Sequence, residues 1–248
     1  MEAAIASLEA AGHSLGADFI RLEPQAGITA EALRRRGAVE IAEADPKYTR
    51  IVNLTHSIEE LRRDLAASHR NNINGTERRG ITIRQADNPA ALAELCAMLR
   101  DTAIRSKVRF YPDSYYHQLY EVLAPLGIAK LYLAEAEGQP VAGALFYDWG
   151  PTRYYAHAGA YQERNRRLRA SVSLVWQALV DAKEAGLQHF DLWGVAPKGD
   201  ATHQLAGLSA FKQGFGGHQI NYLGTWDLPL KTQKYRLYSV YRRLRGRR

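Results

Sequence analysis

The feature that most constrains this 248-residue sequence is the order of its periodic segments from Ile81 onward. Apolar alternation marks strands at 81–86, 129–136, 140–148, 152–158, 188–193 and 218–227. Apolar residues at three- and four-residue spacing mark helices at 89–106, 113–124, 168–185, 203–213 and 232–245. The order is therefore β-α-α-β-β-β-α-β-α-β, closed by a last helix. The turns "EGQP" at 137–140 and "WGPT" at 149–152 are too short for a crossover, so the strands they join are antiparallel neighbours. Helices 168–185 and 203–213 instead separate strands, as crossovers do. Hairpins combined with crossovers predict an α/β fold with a mixed sheet and flanking helices.

The preceding residues carry a shorter version of the pattern. A helix over 1–15 is followed by a strand in "ADFIRLEP", a short helix "TAEALRRRG" ended by Gly37, and a strand "YTRIVNLT". The stretch "SIEELRRDLAASHRNNINGTERRG" reads as helical and opens on the capping box from Ser57 to Glu60. Three segments result: a partial α/β unit at 1–76, a main domain at 77–230 and a basic helix at 231–248. No Pro/Gly/Ser-rich linker separates them, so they are expected to pack together.

Charge is distributed unevenly. From Leu228 onward Lys231, Lys234, Arg236, Arg242, Arg243, Arg245, Arg247 and Arg248 stand without an acid, eight cations against a formal surplus of +7 for the whole chain. Arg164, Arg166, Arg167 and Arg169 form a smaller cluster. Such segments attract the phosphates of nucleic acids, nucleotides or anionic lipids through screened charge. A solvated tail that only aids solubility is the plain alternative. No apolar run approaches the ~18 residues of a spanning helix, and "MEAAIASLEAAGHS" lacks a basic leader region. A cytoplasmic protein, at most touching the inner face of the membrane, is expected. Cys96, the one cysteine, lies in the apolar run "ALAELCAML" and reads as a core residue.

The spacing of potential ligands excludes several chemistries. None of the eight histidines falls in H-E-x-x-H or H-x-H, which speaks against a zinc site. No G-x-S-x-G is present, which speaks against a serine hydrolase. "RNRRLRAS" at 164–171 stands where an acyl-CoA acetyltransferase of similar strand order carries a glycine loop before a helix. Arginines here would reach phosphate oxygens with side chains rather than backbone N–H groups, unless the segment is only a solvated turn. In "RFYPDSYYHQLY", Tyr116 and Tyr120 have the helical spacing of core or rim residues. Arg109 and Tyr111, ahead of Pro112, are better placed to bind a ligand. "GLSAFKQGFGG" at 207–217 matches no nucleotide-binding fingerprint, so a phosphate cradle, a turn and a catalytic segment all remain open.

Taken together, "SHRNNINGTERRGITIRQ", "KLYLAEAEGQPVAGALFYDWGPTRYYAHAGA", "FDLWGVAP" and "GLSAFKQGFGGHQINYLGTWDLPL" resemble, in order and spacing, the FemABX family of aminoacyl-tRNA-dependent peptidoglycan-bridge transferases. The resemblance covers the chain from about residue 15 onward. It implies two GNAT-like domains, the second complete here and the first truncated. It also implies transfer, without a cofactor, of an amino acid from aminoacyl-tRNA to an amine on the stem peptide of a UDP-linked or lipid-linked muramyl precursor. Phe211 and Lys212 fall on the family's F-K pair, which implies a position at the tRNA acceptor end, with the lysine stabilising negative charge. Arg166 falls in register with a family arginine and is expected to bind a precursor phosphate. Asp191 is either an acid–base group or a residue that fixes its own loop. Gly214 is expected to end a helix, and Gly216 and Gly217 to permit a tight entry into the next strand. The family's aromatic- and lysine-containing segment that helps hold the precursor diphosphate has no counterpart in these residues. The tail, with Tyr235, Tyr238 and Tyr241, could receive tRNA phosphates or lie against an anionic membrane. An acyl-CoA-dependent GNAT enzyme, an inactive tRNA- or membrane-binding module, and a transferase with a different acceptor are the alternatives.

Overall fold

The computed structural model describes residues 2–25, 27–42, 46–106 and 110–245. The elements in chain order are α1 (Glu2–Ser14), β1 (Phe19–Leu22), α2 (Ala30–Arg35), β2 (Val39–Glu40), β3 (Tyr48–Asn53), α3 (Ile58–Asp64) and α4 (Ala67–Asn74). They continue with β4 (Ile81–Ala86), α5 (Pro89–Ser106), α6 (Asp113–Leu123), β5 (Ala129–Ala136), β6 (Gln139–Trp149) and β7 (Thr152–Ala160). The chain ends with α7 (Gln162–Leu168), α8 (Ala170–Glu184), β8 (His189–Gly194), α9 (Ala206–Gln213), β9 (His218–Asn221), β10 (Trp226–Pro229) and α10 (Thr232–Arg245). The α/β class and the mixed sheet with flanking helices are as expected.

The division of the chain differs from the expected segments at 76 and 230. One compact unit joins Met1–Thr49 with Ile220–Arg248, and the other is Arg50–Gln219. The cause is a long-range pairing that periodicity cannot reveal. In the first unit β10 is the central strand of a three-stranded antiparallel sheet, β1-β10-β2, with Leu22 opposite Trp226 and Trp226 opposite Glu40. Ile5, Leu33, Ala38, Trp226 and Leu228 form its apolar core. Asp227, fully buried on β10, accepts two hydrogen bonds from Arg21, at 2.8 and 3.0 Å, and one from the Tyr235 hydroxyl at 3.1 Å. Phe19 stacks on Tyr238 at 4.9 Å, so α10 is fixed to the strands by its inner face.

The larger sheet has the order β4-β5-β6-β7-β8-β3-β9. Strands β4 to β7 are antiparallel, and β8 is parallel to β7. Both faces of its antiparallel part are covered, which is why β5 and β6 read as nearly continuous apolar runs. On β5, Leu131 and Leu133 point to the α5/α6 side, while Tyr132 and Ala134 point to the α8 side. On β6, Leu145 and Phe146 divide in the same way. Cys96 is buried on α5 in the first of these layers, as expected. The "EGQP" turn brings Glu137 and Gly138 to φ of 53° and 70°, the paired positive values that match strand twist in a tight hairpin.

Three local expectations are corrected. The helical stretch from Ser57 to Gly80 is not continuous but divides into α3, α4 and a 3-10 turn at Glu77–Arg79. Leu65 is extended at ψ 140°, its side chain is buried, and the next amide, Ala66 N–H, donates to Gly214 O at 2.9 Å. The strand expected over 218–227 splits into β9 and β10, which enter different sheets, and Gly224 at φ +79° lies between them. "QERNRRL" is the helix α7 rather than a loop.

Candidate functional site

Two central strands of the larger unit are paired over only part of their length. Parallel pairing of β7 with β8 runs through Thr152 with His189, Arg153 with Phe190 and Tyr154 with Asp191. Beyond that register the two strands continue separately, β7 to Ala160 and β8 to Gly194. A register shift also occurs in the β6–β7 pairing, where Leu145 faces His157 and Phe146 faces Tyr155. The bulged β7 residue is Ala156, and such a bulge re-aims the side chains around it. In open α/β sheets, ligand sites form beyond the carboxyl ends of parallel strands, which is where β7 and β8 part.

Lys212, from α9, enters this region. Its side chain is 4% exposed, its Nζ donates to Gly194 O at 2.7 Å, and the same nitrogen lies 5.9 Å from the centre of the Tyr155 ring. Burial pushes the ammonium pKa down to about 7, partly opposed by the nearby Asp191 carboxylate. An ammonium has three donors, and the Gly194 carbonyl takes one. The remaining two can meet negative charge that develops beside it, in surroundings where such charge is poorly screened.

Asp191 is also buried. Its Oδ1 accepts from Trp193 N–H at 2.7 Å and helps hold Trp193 at φ +62°. A left-handed tryptophan is strained, and strain of this kind is retained where the surroundings fix the backbone. Asp191 thus fixes the end of its own strand, β8, rather than a loop, in a position that also acts on Lys212. Ser209, one turn ahead of Lys212 on α9, accepts from Ala196 N–H at 2.6 Å and donates to Leu205 O at 2.7 Å, which ties α9 to the strand that carries Gly194.

Phe211 is partly buried and meets Phe215 edge-on at 5.3 Å. Its carbonyl accepts from His69 Nε2–H at 3.0 Å, which assigns the ring proton to Nε2. Burial lowers the His69 pKa, so the ring is neutral at pH 7, and Nδ1 is buried with no hydrogen-bond partner among the described residues. The ring also packs edge-on against Phe215 at 4.6 Å. Gly214 ends α9, as expected, but not as a left-handed cap. Its φ of −60° suits any residue, but a β-carbon there would come within 2.3 Å of the His69 ring. Gly214 therefore makes room for His69. Gly216 and Gly217 have φ of +79° and +70°, as the tight entry into β9 requires, and the Arg50 guanidinium donates to both of their carbonyls.

Phe211, Lys212 and Asp191 thus come together. Arg166 is exposed on α7, and Tyr111 is 59% exposed and stacks on Tyr115 at 4.1 Å; neither contacts this cluster. Arg109 lies outside the described residues. At the start of α8 the Ser171 N–H is occupied by Asn165 Oδ1 at 3.1 Å. His69, Tyr155, Gly194 and Ser209 were not singled out by the sequence. They lie on four separate segments, and only the fold shows that all of them serve Lys212 and Phe211. Among the described residues no three of His, Cys, Asp and Glu gather as a metal-binding group.

Comparison with known proteins agrees with this architecture. A family model described as "Acetyltransferase (GNAT) domain" matches residues 63–212. The aminoacyltransferase FemA of Staphylococcus epidermidis is 24% identical over 102 residues, 41% of this chain and 24% of that protein. FemA of Staphylococcus aureus is 23% identical over 108 residues, 44% of this chain and 26% of that protein. The matched stretch therefore spans about a quarter of the length of these relatives. Among solved structures, FemX superposes with a TM-score of 0.83 at 16% identity, covering 95% of this chain and 78% of that one. L-PGS from Bacillus licheniformis gives a TM-score of 0.61 at 17% identity, covering 92% and 72%. The FemABX resemblance drawn from the sequence is met by these FemA and FemX matches, and the shared fold is GNAT-like.

Proposed function

We propose, from the premise that this chain belongs to the acetyltransferase (GNAT) domain family, that it moves an amino acid from aminoacyl-tRNA to an amine of a peptidoglycan-precursor stem peptide. The observation that carries the proposal is the buried Lys212 beside Phe211, held where β7 and β8 separate. Similarity to the FemA aminoacyltransferases supports the choice of acyl group.

The reaction is aminolysis of an ester. The acceptor amine attacks the aminoacyl carbonyl, its electrons form the new C–N bond, and a tetrahedral oxyanion develops. Collapse breaks the C–O bond to the tRNA ribose, whose oxygen takes up the proton that the amine gives up. Such a reaction needs positioned reactants and charge stabilisation rather than an enzyme nucleophile or a cofactor. Lys212 would stabilise the oxyanion or the departing ribose oxygen with its free N–H donors, and Phe211 would contact the tRNA acceptor end. Asp191 would favour the charged form of Lys212 and hold the end of β8 in place. Arg166, on exposed α7, would bind a precursor phosphate, with Arg109 and Tyr111 as further substrate contacts. An acyl-CoA donor is less well served, because the Ser171 N–H that a phosphate would use is already bonded to Asn165. The site of action would be the cytoplasm, at the inner face of the membrane when the acceptor is lipid-linked.

The test uses the purified protein, a pool of tRNAs charged with labelled amino acids, and UDP-linked or lipid-linked muramyl pentapeptide. Label on the precursor is the expected result. Lys212→Ala should lower the rate by at least about a hundredfold, the scale of losing one preorganised stabilising donor. Transfer from acyl-CoA with none from aminoacyl-tRNA, or full activity in Lys212→Ala, would overturn the assignment.

A further inference from the structure

Helix α10 presents two apolar stripes, one turned inward and one largely exposed. Tyr235 and Tyr238 point inward, onto Phe19 and the Asp227–Arg21 pair. Leu237, Val240, Tyr241 and Leu244 follow the i, i+3, i+4, i+7 spacing of a single face on the other side. They are 74%, 55%, 55% and 64% exposed. This is a continuous outward stripe rather than scattered apolar residues, and contiguous patches mark interaction surfaces. On the helix surface Arg236 and Arg243 border the stripe on one side. Lys234, whose Nζ is also 3.5 Å from Asp18, borders it on the other.

We infer that the outer face of α10 docks on an anionic lipid surface. An apolar stripe between two cationic borders matches the bilayer boundary. The aliphatic and aromatic side chains enter the acyl edge, and the long cationic side chains extend to the phosphates. Tyr241, with an apolar ring and a polar hydroxyl, suits the headgroup level. Nucleic acid would engage the cations but offer no apolar surface to Leu237, Val240 and Leu244. A second copy meeting the same stripe would bring like charges together along both borders. The 14-residue helix is about 21 Å long and lies along the surface. Among the described residues no helix is long and apolar enough to cross a membrane. The inference does not depend on the transfer reaction.

The experiment is co-sedimentation of the full chain with vesicles of phosphatidylcholine alone, or of phosphatidylcholine mixed with phosphatidylglycerol, in both cases without any peptidoglycan precursor. Binding is expected to the anionic vesicles only, and to weaken as salt is raised. The double variant Leu237→Ser/Leu244→Ser should bind about tenfold or more weakly, since it removes apolar area that inserts. Arg236→Gln/Arg243→Gln should weaken binding and flatten its salt dependence. All four side chains point outward, and an unchanged thermal unfolding midpoint checks that the variants fold. Absence of wild-type binding to anionic vesicles, or serine variants that bind like the wild type, would overturn the inference. So would serine variants that lose tRNA retention while keeping vesicle binding, or that convert a wild-type dimer to a monomer, because the stripe would then serve tRNA or a second copy.

Discussion

Lys212 gives up most of its hydration to reach Gly194 O, and this has a measurable pH signature. In the unfolded chain a lysine keeps its proton up to about pH 10.4, whereas burial in the folded protein lowers the value to about 7. Between those limits the unfolded state binds more protons, so stability should rise with pH. Below about 7 the charge is present in both states, and its full desolvation cost is borne by the fold. Urea midpoints at pH 7 and pH 10 should show the rise in the wild type and its absence in Lys212→Met. Transfer activity that depends on the ammonium should move the opposite way and fall as pH passes upward through about 7. A second residue-level prediction concerns Gly214. Gly214→Ala would force a β-carbon into the His69 ring and should cost about 1–3 kcal/mol, read as a shift in the denaturant midpoint. Because the two positions share one space, His69→Ala combined with Gly214→Ala should be less destabilised than the sum of the single changes.

Strands β5, β6 and β7 are tied to α8 by a buried polar network as well as by apolar layers. Arg153, 2% exposed, donates to both Asp148 oxygens at 2.7 Å, to Ala178 O at 2.8 Å and to the Tyr132 hydroxyl, which itself donates to Asp181 at 2.7 Å. Arg153→Met removes one partner of a buried pair and should destabilise the protein by about 3 kcal/mol, measurable by equilibrium unfolding. At this scale the sequence was most legible where one physical signal decided the outcome. Alternation found β4 to β8, turn residues found both hairpins, and Ser57 with Glu60 marked the start of α3. It was least legible where a distant contact decided. The helix breaks at Leu65 because Ala66 N–H meets Gly214 O, and β9 parts from β10 because each joins a different sheet. The site divides in the same way. Phe211 and Lys212 stood out through the family's F-K pair, and Asp191 as an acid at a strand end. His69, Tyr155, Gly194 and Ser209 gave no local signal, since their relevance comes from packing alone.

The first compact unit is built from both ends of the described chain, with β10 between β1 and β2. Removing the residues after Asn221 would take away the only strand that joins β1 to β2 in this sheet, and with it Trp226, Asp227 and Leu228. Limited proteolysis of such a truncated chain should cut freely within the first 49 residues, whereas the same bonds should resist in the full chain. The Arg21–Asp227 pair closes a separation of 206 residues, a contact that forms only after a long stretch of chain has been ordered or held out of the way. Synthesis runs in one direction, so β1 and β2 leave the ribosome long before their shared neighbour exists. Among the described strands β10 is therefore made after the whole 50–219 unit, and it completes a unit whose other two strands were made before it.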